Sequence, residues 1–314
     1  MNLALLAPAV ILLVFIDNIW LQMLNAVFWA FVFVQMGYIM HDAGHRQIFQ
    51  AIRGNDVIGL IYSNLLAGVS YNYWMARHNQ HHSHPNHLEN DPDINVPLLA
   101  FSEEQVRRKQ GILRSLLKFQ AFYFIPLSLL QAYNLKFRTI GFVAHNLRQS
   151  RIKYVKTEAL FLITHYVLYF GILFYVLGIR QALIFHIVHF AFTGLYMAMV
   201  FAPNHKGMPM IDDNSDLDFL RRQVLTARNI KPHPLTDFLY GGLNYQIEHH
   251  LFPNLPRNKL REAQDIVRAF CESKSVSYHE TGVLESNIEI LQHLHKIAAP
   301  LRTGQASQIN SVET

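Results

Sequence analysis

Arg77-His78-Asn79-Gln80-His81-His82 is the stretch from which the rest of the chain can be read. On a helix its three histidines stand at i, i+3 and i+4, which places three imidazoles on one face within a single turn. Two other stretches share that geometry. His41-Asp42-Ala43-Gly44-His45 is an i, i+4 pair, and Gln246-Ile247-Glu248-His249-His250 repeats i, i+3, i+4 with Gln in the first place. One His-xxx-His alone is usually a satisfied structural pair. Three clusters of one shape, far apart in sequence, point to a shared metal centre.

Composition sets the surroundings. The chain has 314 residues, 51% apolar and only 16% charged, against about a quarter charged in soluble proteins. Its 18 histidines are the outlier. The single cysteine, Cys271, excludes an internal disulfide and any Cys-based metal motif. A net charge of +5 could suit nucleic acid. The basic residues flank apolar runs, however, and no nucleic-acid motif is present, so a membrane surface is the expected partner.

The apolar runs predict an all-α integral membrane protein with about four spans in two hairpins. No Lys or Arg precedes Arg46. Residues 1–40 exceed the roughly 20 needed for one crossing, so two helices are expected, about 2–16 and 19–40, turning at Asp17-Asn18. A signal peptide would need a basic start and a break after its apolar core, and neither is present. Two further spans are expected at about 159–179 and 182–202, turning at Gly178-Ile179-Arg180-Gln181. The runs 57–75 and 119–135, broken by polar residues or Pro126, fit helices lying at the interface. A single domain over 1–300 and a disordered tail over 301–314 complete the layout.

Charge placement orients it. Fourteen of the 27 Lys and Arg lie in residues 41–157 and 12 follow Pro203, leaving Arg180 alone. Two crossings separate these blocks, so both are expected on one side, which the positive-inside rule makes cytoplasmic. The three histidine clusters and both termini then share that side, as a histidine-rich cap.

The ligand types narrow the metal. A zincin needs Glu after the first histidine of its helical pair, and Asp42 stands there. A ferritin-like site needs Glu-x-x-His, which is missing. Seven histidines exceed the tetrahedral demand of one zinc, so two metals with mostly imidazole ligands fit better. Asp42, Glu89, Asp91, Asp93 and Glu248 are carboxylates placed to orient ligand rings. For each alone, a solvated carboxylate is the simpler reading. His84 and His87 follow the central cluster and fit either ligand support or solvation. His165, His186 and His189 lie within the predicted spans, where helix-to-helix hydrogen bonding explains them about as well as function. His145, His233, His279, His293 and His295 read as surface residues.

His41-Asp-Ala-Gly-His45, Arg77-His-Asn-Gln-His-His82 and Gly241-Gly-Leu-Asn-Tyr-Gln-Ile-Glu-His-His-Leu-Phe-Pro253 resemble the three histidine boxes of the membrane fatty-acid desaturases. The Gln that opens the third box is similar to the front-end branch. The resemblance covers about residues 35–260. It implies two irons held by His41, His45, His78, His81, His82, His249 and His250, with O2 as co-substrate and two electrons consumed. It adds His205, in Phe-Ala-Pro-Asn-His205, as a further ligand, and leaves Gln246 to bind metal, hold a water or only hydrogen-bond. The expected substrate is an acyl chain carried on CoA or lipid, and Tyr71, Tyr73 and Trp74 would line its pocket or anchor the membrane interface. Many front-end members carry a His-Pro-Gly-Gly haem motif, which this sequence lacks. An external donor is therefore expected: ferredoxin, cytochrome b5 or a reductase. A hydroxylase on the same scaffold and a non-catalytic membrane metal-binding protein are the rival readings.

Overall fold

The computed structural model describes residues 2–149 and 152–303. The tail expected to be disordered lies, from residue 304 on, outside the described residues, and Ala299–Arg302 is a helical turn. Apart from one two-residue parallel strand pair, regular structure among the described residues is helical. The fold resolves into two compact units, each described by itself.

The first unit comprises Met1–Ala76, Ser128–Ala198 and Asn254–Arg257. Its helices Asn2–Phe15 and Ile19–Gly44 are joined at the expected turn. Asn18 caps the second helix, its side-chain oxygen accepting from the Trp20 and Leu21 amides. Polar residues three and four apart then face the first helix. Gln22 donates to the carbonyls of Leu13 (2.9 Å) and Ile16 (2.6 Å), satisfying groups that a helix C-terminus leaves open. Asn25 and Trp29 both donate to Ala9 O, each at 3.1 Å.

The helix recorded as Val155–His205 is two limbs broken at Gly178 (φ 69°, ψ 165°), a left-handed conformation that glycine adopts without strain. A straight helix would set residues 20 apart by about 30 Å. Tyr169 instead meets His189 at 2.7 Å, so the limbs fold back on each other. The expected hairpin is therefore present, turned at one residue rather than four. Its inner face joins Trp29, Phe33, Tyr169, Phe185 and Phe190 in the core. Leu160, Ile163, Val167 and Ile187 stay exposed, leaving an apolar outer surface on both limbs.

Among the described residues, Ile19–Gly44 and Val155–His205 are the two helices long and apolar enough to cross a membrane; the first helix is shorter. Ile19–Gly44 runs four residues past the expected end of its span, so His41 lies in its last turn. The run 57–75 is not one helix. Ile52–Leu60 passes into a π-helical turn, Ile61–Leu66, and a new helix starts at Tyr71. The run 119–135 is likewise divided between Gln120–Ser128 and Gln131–Gln149.

The second unit comprises Arg77–Leu127, Met199–Pro253 and Asn258–Thr314. One core gathers Ile94, Leu99, Phe101, Phe124, Ile290 and Leu294, another Val224, Ile247, Val267 and Cys271. Asn229–Ile230 pairs in parallel with Glu280–Thr281. The buried Arg228 guanidinium ties the end of the long helix to the C-terminal helices, donating to the carbonyls of Pro203 and Lys206 and to Glu289.

Candidate metal centre

Each histidine cluster is held by its own local device. In the first unit, His41 and His45 end the helix Ile19–Gly44, ring centroids 4.7 Å apart. Gly44 between them is obligatory by space: a Cβ there would meet Met75 Sδ at 2.6 Å and Trp74 at 2.7 Å. Asp42 turns to Arg257, whose Nε donates to it at 2.7 Å and whose second nitrogen donates to Tyr38 O at 2.8 Å. Burial holds the His45 pKa down at about 2, so this ring stays neutral with a lone pair to offer.

The helix Tyr71–Ser83 carries the second cluster, and its start is fixed in the first unit. Ser70 Oγ accepts from the Tyr73 amide at 3.1 Å, and the buried Glu158 accepts from the Asn72 amide at 2.9 Å and from Ser70 Oγ at 3.0 Å. A carboxylate at a helix N-terminus complements its dipole. Tyr71 and Trp74 pack with Met40 and Leu60 in an apolar cluster of this unit.

From His78 onward the ligands belong to the second unit. The third cluster sits on the short helix Gln246–Leu251, placed by Gly241 (φ 60°) and Gly242 (φ 83°) and by Asn229, whose oxygen accepts from the Ile247 amide at 2.9 Å. His82 Nε2 then lies 3.1 Å from both His78 Nε2 and His249 Nε2. His205, last residue of the long helix, brings its Nε2 within 3.2 Å of His81 Nε2 and 3.1 Å of His250 Nε2.

Hydrogen bonds on the far side of these last three rings fix their tautomers. His81 Nδ1 donates to the Asp91 carboxylate at 3.0 Å, and His205 Nδ1 to Thr226 O at 3.0 Å. His250 Nδ1 donates to Gln223 Oε1 at 2.9 Å, and that amide is oriented because its nitrogen donates to His82 O. Three neutral rings so arranged turn three Nε2 lone pairs toward one another, a donor set that a cation can take up. Burial alone would lower the His81 pKa, yet Asp91 outweighs it and holds the ring above its ordinary value. Burial, with the neighbouring histidines, pushes His250 well below. Asp91 thus favours positive charge on His81, while burial keeps His205 and His250 in their neutral, lone-pair-bearing form. An all-imidazole donor set with a carboxylate behind one ring suits a divalent transition metal.

All eight predicted histidines stand in these groupings. Gln246 joins them through its amide nitrogen, 2.9 Å from His205 Nε2. Among the carboxylates, Asp91 meets a predicted ligand ring at hydrogen-bond distance, and Asp42 stands 3.8 Å from His41 Nδ1. Asp93 pairs with Arg77, Glu89 with Arg108, and Glu248 is taken up by Asn229 and Tyr278. The histidines within the long helix pack and hydrogen-bond inside the first unit. His165 donates to Leu65 O, and His189 and His186 meet the Tyr169 hydroxyl. His87 is buried and meets Asp213 at 3.2 Å, and His293, expected at the surface, is partly buried and donates to Phe101 O. Sequence reasoning missed Thr226, Gln223, Asn204 and Asn86. Asn86 is fully buried and donates to the carbonyls of His205, Pro209 and Thr226. Its αL conformation (φ 53°), which Asn tolerates better than most residues, follows Pro85 and is the one local signal the sequence offered.

Known proteins are similar to this chain over most of its length. Residues 18–282 match the family model described as fatty acid desaturase. A Delta(8)-fatty-acid desaturase of Euglena gracilis is 34% identical over 86% of this chain and 66% of its own length. An acyl-lipid (9-3)-desaturase of Physcomitrium patens is 28% identical over 95% of this chain and 57% of its own. The Delta(6)-fatty-acid desaturase fat-3 of Caenorhabditis elegans is 29% identical over 90% of this chain and 66% of its own. The chain therefore spans between 57% and 66% of these relatives' lengths. With residues 18–282 matched by the family model, the protein belongs to the fatty acid desaturase family.

Proposed function

We propose that this chain is an O2-dependent fatty acyl desaturase that introduces a double bond into an acyl chain carried on lipid or CoA. The observation that carries it is the convergence of fixed-tautomer imidazoles at His81, His205 and His250 beside a second grouping, His78, His82 and His249. Two irons would be held by these histidines, and His41 and His45 are assigned as further ligands on the first box alone. Iron supplies the O2-dependent oxidation of an unactivated methylene pair. The chain's residues hold the metals and fix ring tautomers through Asp91, Thr226 and Gln223. An apolar pocket would have to hold the acyl chain still, since one CH2 is told from the next only by position.

The membrane reading extends to four crossings, at about 2–16, 19–40, 159–179 and 182–202, within one desaturase domain over residues 1–300. The boxes and both termini then face the cytoplasm. The apolar outward faces and the 26 basic residues outside the second hairpin support it. Two electrons come from a donor of the ferredoxin, cytochrome b5 or reductase type, whose acidic face suits the basic surface.

The test is the fatty-acid profile of a host expressing the chain with a reductase, read by mass spectrometry with double-bond location. A new unsaturated acid, absent with His81→Ala, is the expected result. A hydroxylated product instead would identify an oxygenase on the same scaffold.

A further inference from the structure

We infer that Gln246 presents its amide N–H2, not its oxygen, to the metal position and donates a hydrogen bond to a small ligand entering there, with Asn204 as the positioning residue that holds it so. The inference rests on the metal reading above and assigns Gln246 a role distinct from coordination.

The orientation follows from a chain of donors and acceptors. Asn204 Nδ2 lies 3.1 Å from Leu243 O, and only an N–H can face a carbonyl. The same nitrogen lies 3.0 Å from the Gln246 side chain, so the atom it meets there must be oxygen. The remaining Gln246 atom, Nε2, therefore points inward, 2.9 Å from His205 Nε2. That ring nitrogen bears a lone pair, because His205 Nδ1 already donates to Thr226 O. Turning the Gln246 amide would set two NH2 groups against each other. Turning Asn204 as well would set its oxygen against the Leu243 carbonyl. Asn204 is fully buried and Gln246 nearly so, leaving no water to absorb either mismatch.

If His205 gave its lone pair to a metal, the Gln246 N–H2 would lose that acceptor and be left to donate to another partner. An N–H repels a cation and attracts an anion or a lone pair, so its partner is a small ligand of that class. Azide is the probe.

The experiment uses the full chain, purified in detergent and loaded with iron, with azide titrated optically and iron counted on the same samples. Gln246→Leu is expected to retain the parent iron content while binding azide about tenfold more weakly, as loss of one buried donor implies. Asn204→Ala is expected to retain iron and weaken azide by a smaller factor. Gln246→Glu keeps the shape, and its charge should repel azide without loss of iron, which guards against a Leu variant that fails to fold. Iron falling by one per chain in Gln246→Leu would show that the amide oxygen is a ligand. Unchanged azide affinity would show that the amide does not face the entering ligand. A parent protein that binds no iron would overturn the metal reading itself.

Discussion

His81 Nδ1 and the Asp91 carboxylate lie 3.0 Å apart, both side chains almost entirely buried, with the Asn86 and Asp93 amides each donating to Asp91 at 2.8 Å. Two backbone donors hold the carboxylate still, and the carboxylate holds the ring. The His81 proton is thereby kept on Nδ1, and Nε2 is left for metal. Asp91→Asn removes the charge but keeps the shape. It is expected to weaken metal binding at the His81, His205 and His250 position by about 10- to 100-fold, the usual effect of losing a carboxylate behind a ligand imidazole. Metal titration of the purified protein measures this.

The two imidazole groupings of the second unit are distinct donor sets in contact, the His82 and His250 rings stacking with centroids 4.2 Å apart. His250→Ala removes a ligand from the His81 and His205 grouping and leaves His78, His82 and His249 intact. It is expected to lower iron from two per chain to about one. Loss of both irons would mean that the groupings act as one site.

Gly44 packs too closely for any side chain. Gly44→Ala forces Met75 and Trp74 apart, and overpacking of this kind costs about 1–3 kcal/mol. A lowered unfolding temperature in detergent is expected, together with weakened metal binding through the displaced His45.

Asp56 pairs with Arg46 and, at 3.1 Å, with Lys153. Burial would raise its pKa, but Arg46 and then Lys153 outweigh burial and hold the carboxyl below its ordinary 3.8. A depressed folded-state pKa contributes stability above the unfolded value, lost as pH falls through the folded one. Asp56→Asn is therefore expected to unfold at a lower temperature than the parent at pH 7. The gap between them should close below about pH 4. A gap independent of pH would show that the ion pairs are not its source.

What the sequence disclosed and what it hid divide along physical lines. Helical spacing made His78, His81 and His82 legible, because i, i+3 and i+4 need no tertiary knowledge. The turn at Asp17-Asn18 and the fold-back at Gly178 followed from residues that interrupt apolar runs. The partners that fix tautomers were hidden for a different reason. Thr226 acts through a backbone carbonyl, which every residue has, and Gln223 and Asn204 are ordinary amides until the fold brings them to His250 and Gln246. The π-helical turn at Ile61–Leu66 was hidden too, since its residues read as one apolar run with their neighbours.

Iron content of the purified chain tests the central claim most directly. Two irons per chain in the parent, falling to about one in His250→Ala with the protein still folded, is the result these geometries predict. A folded parent that binds no iron under reducing, iron-replete conditions would contradict it.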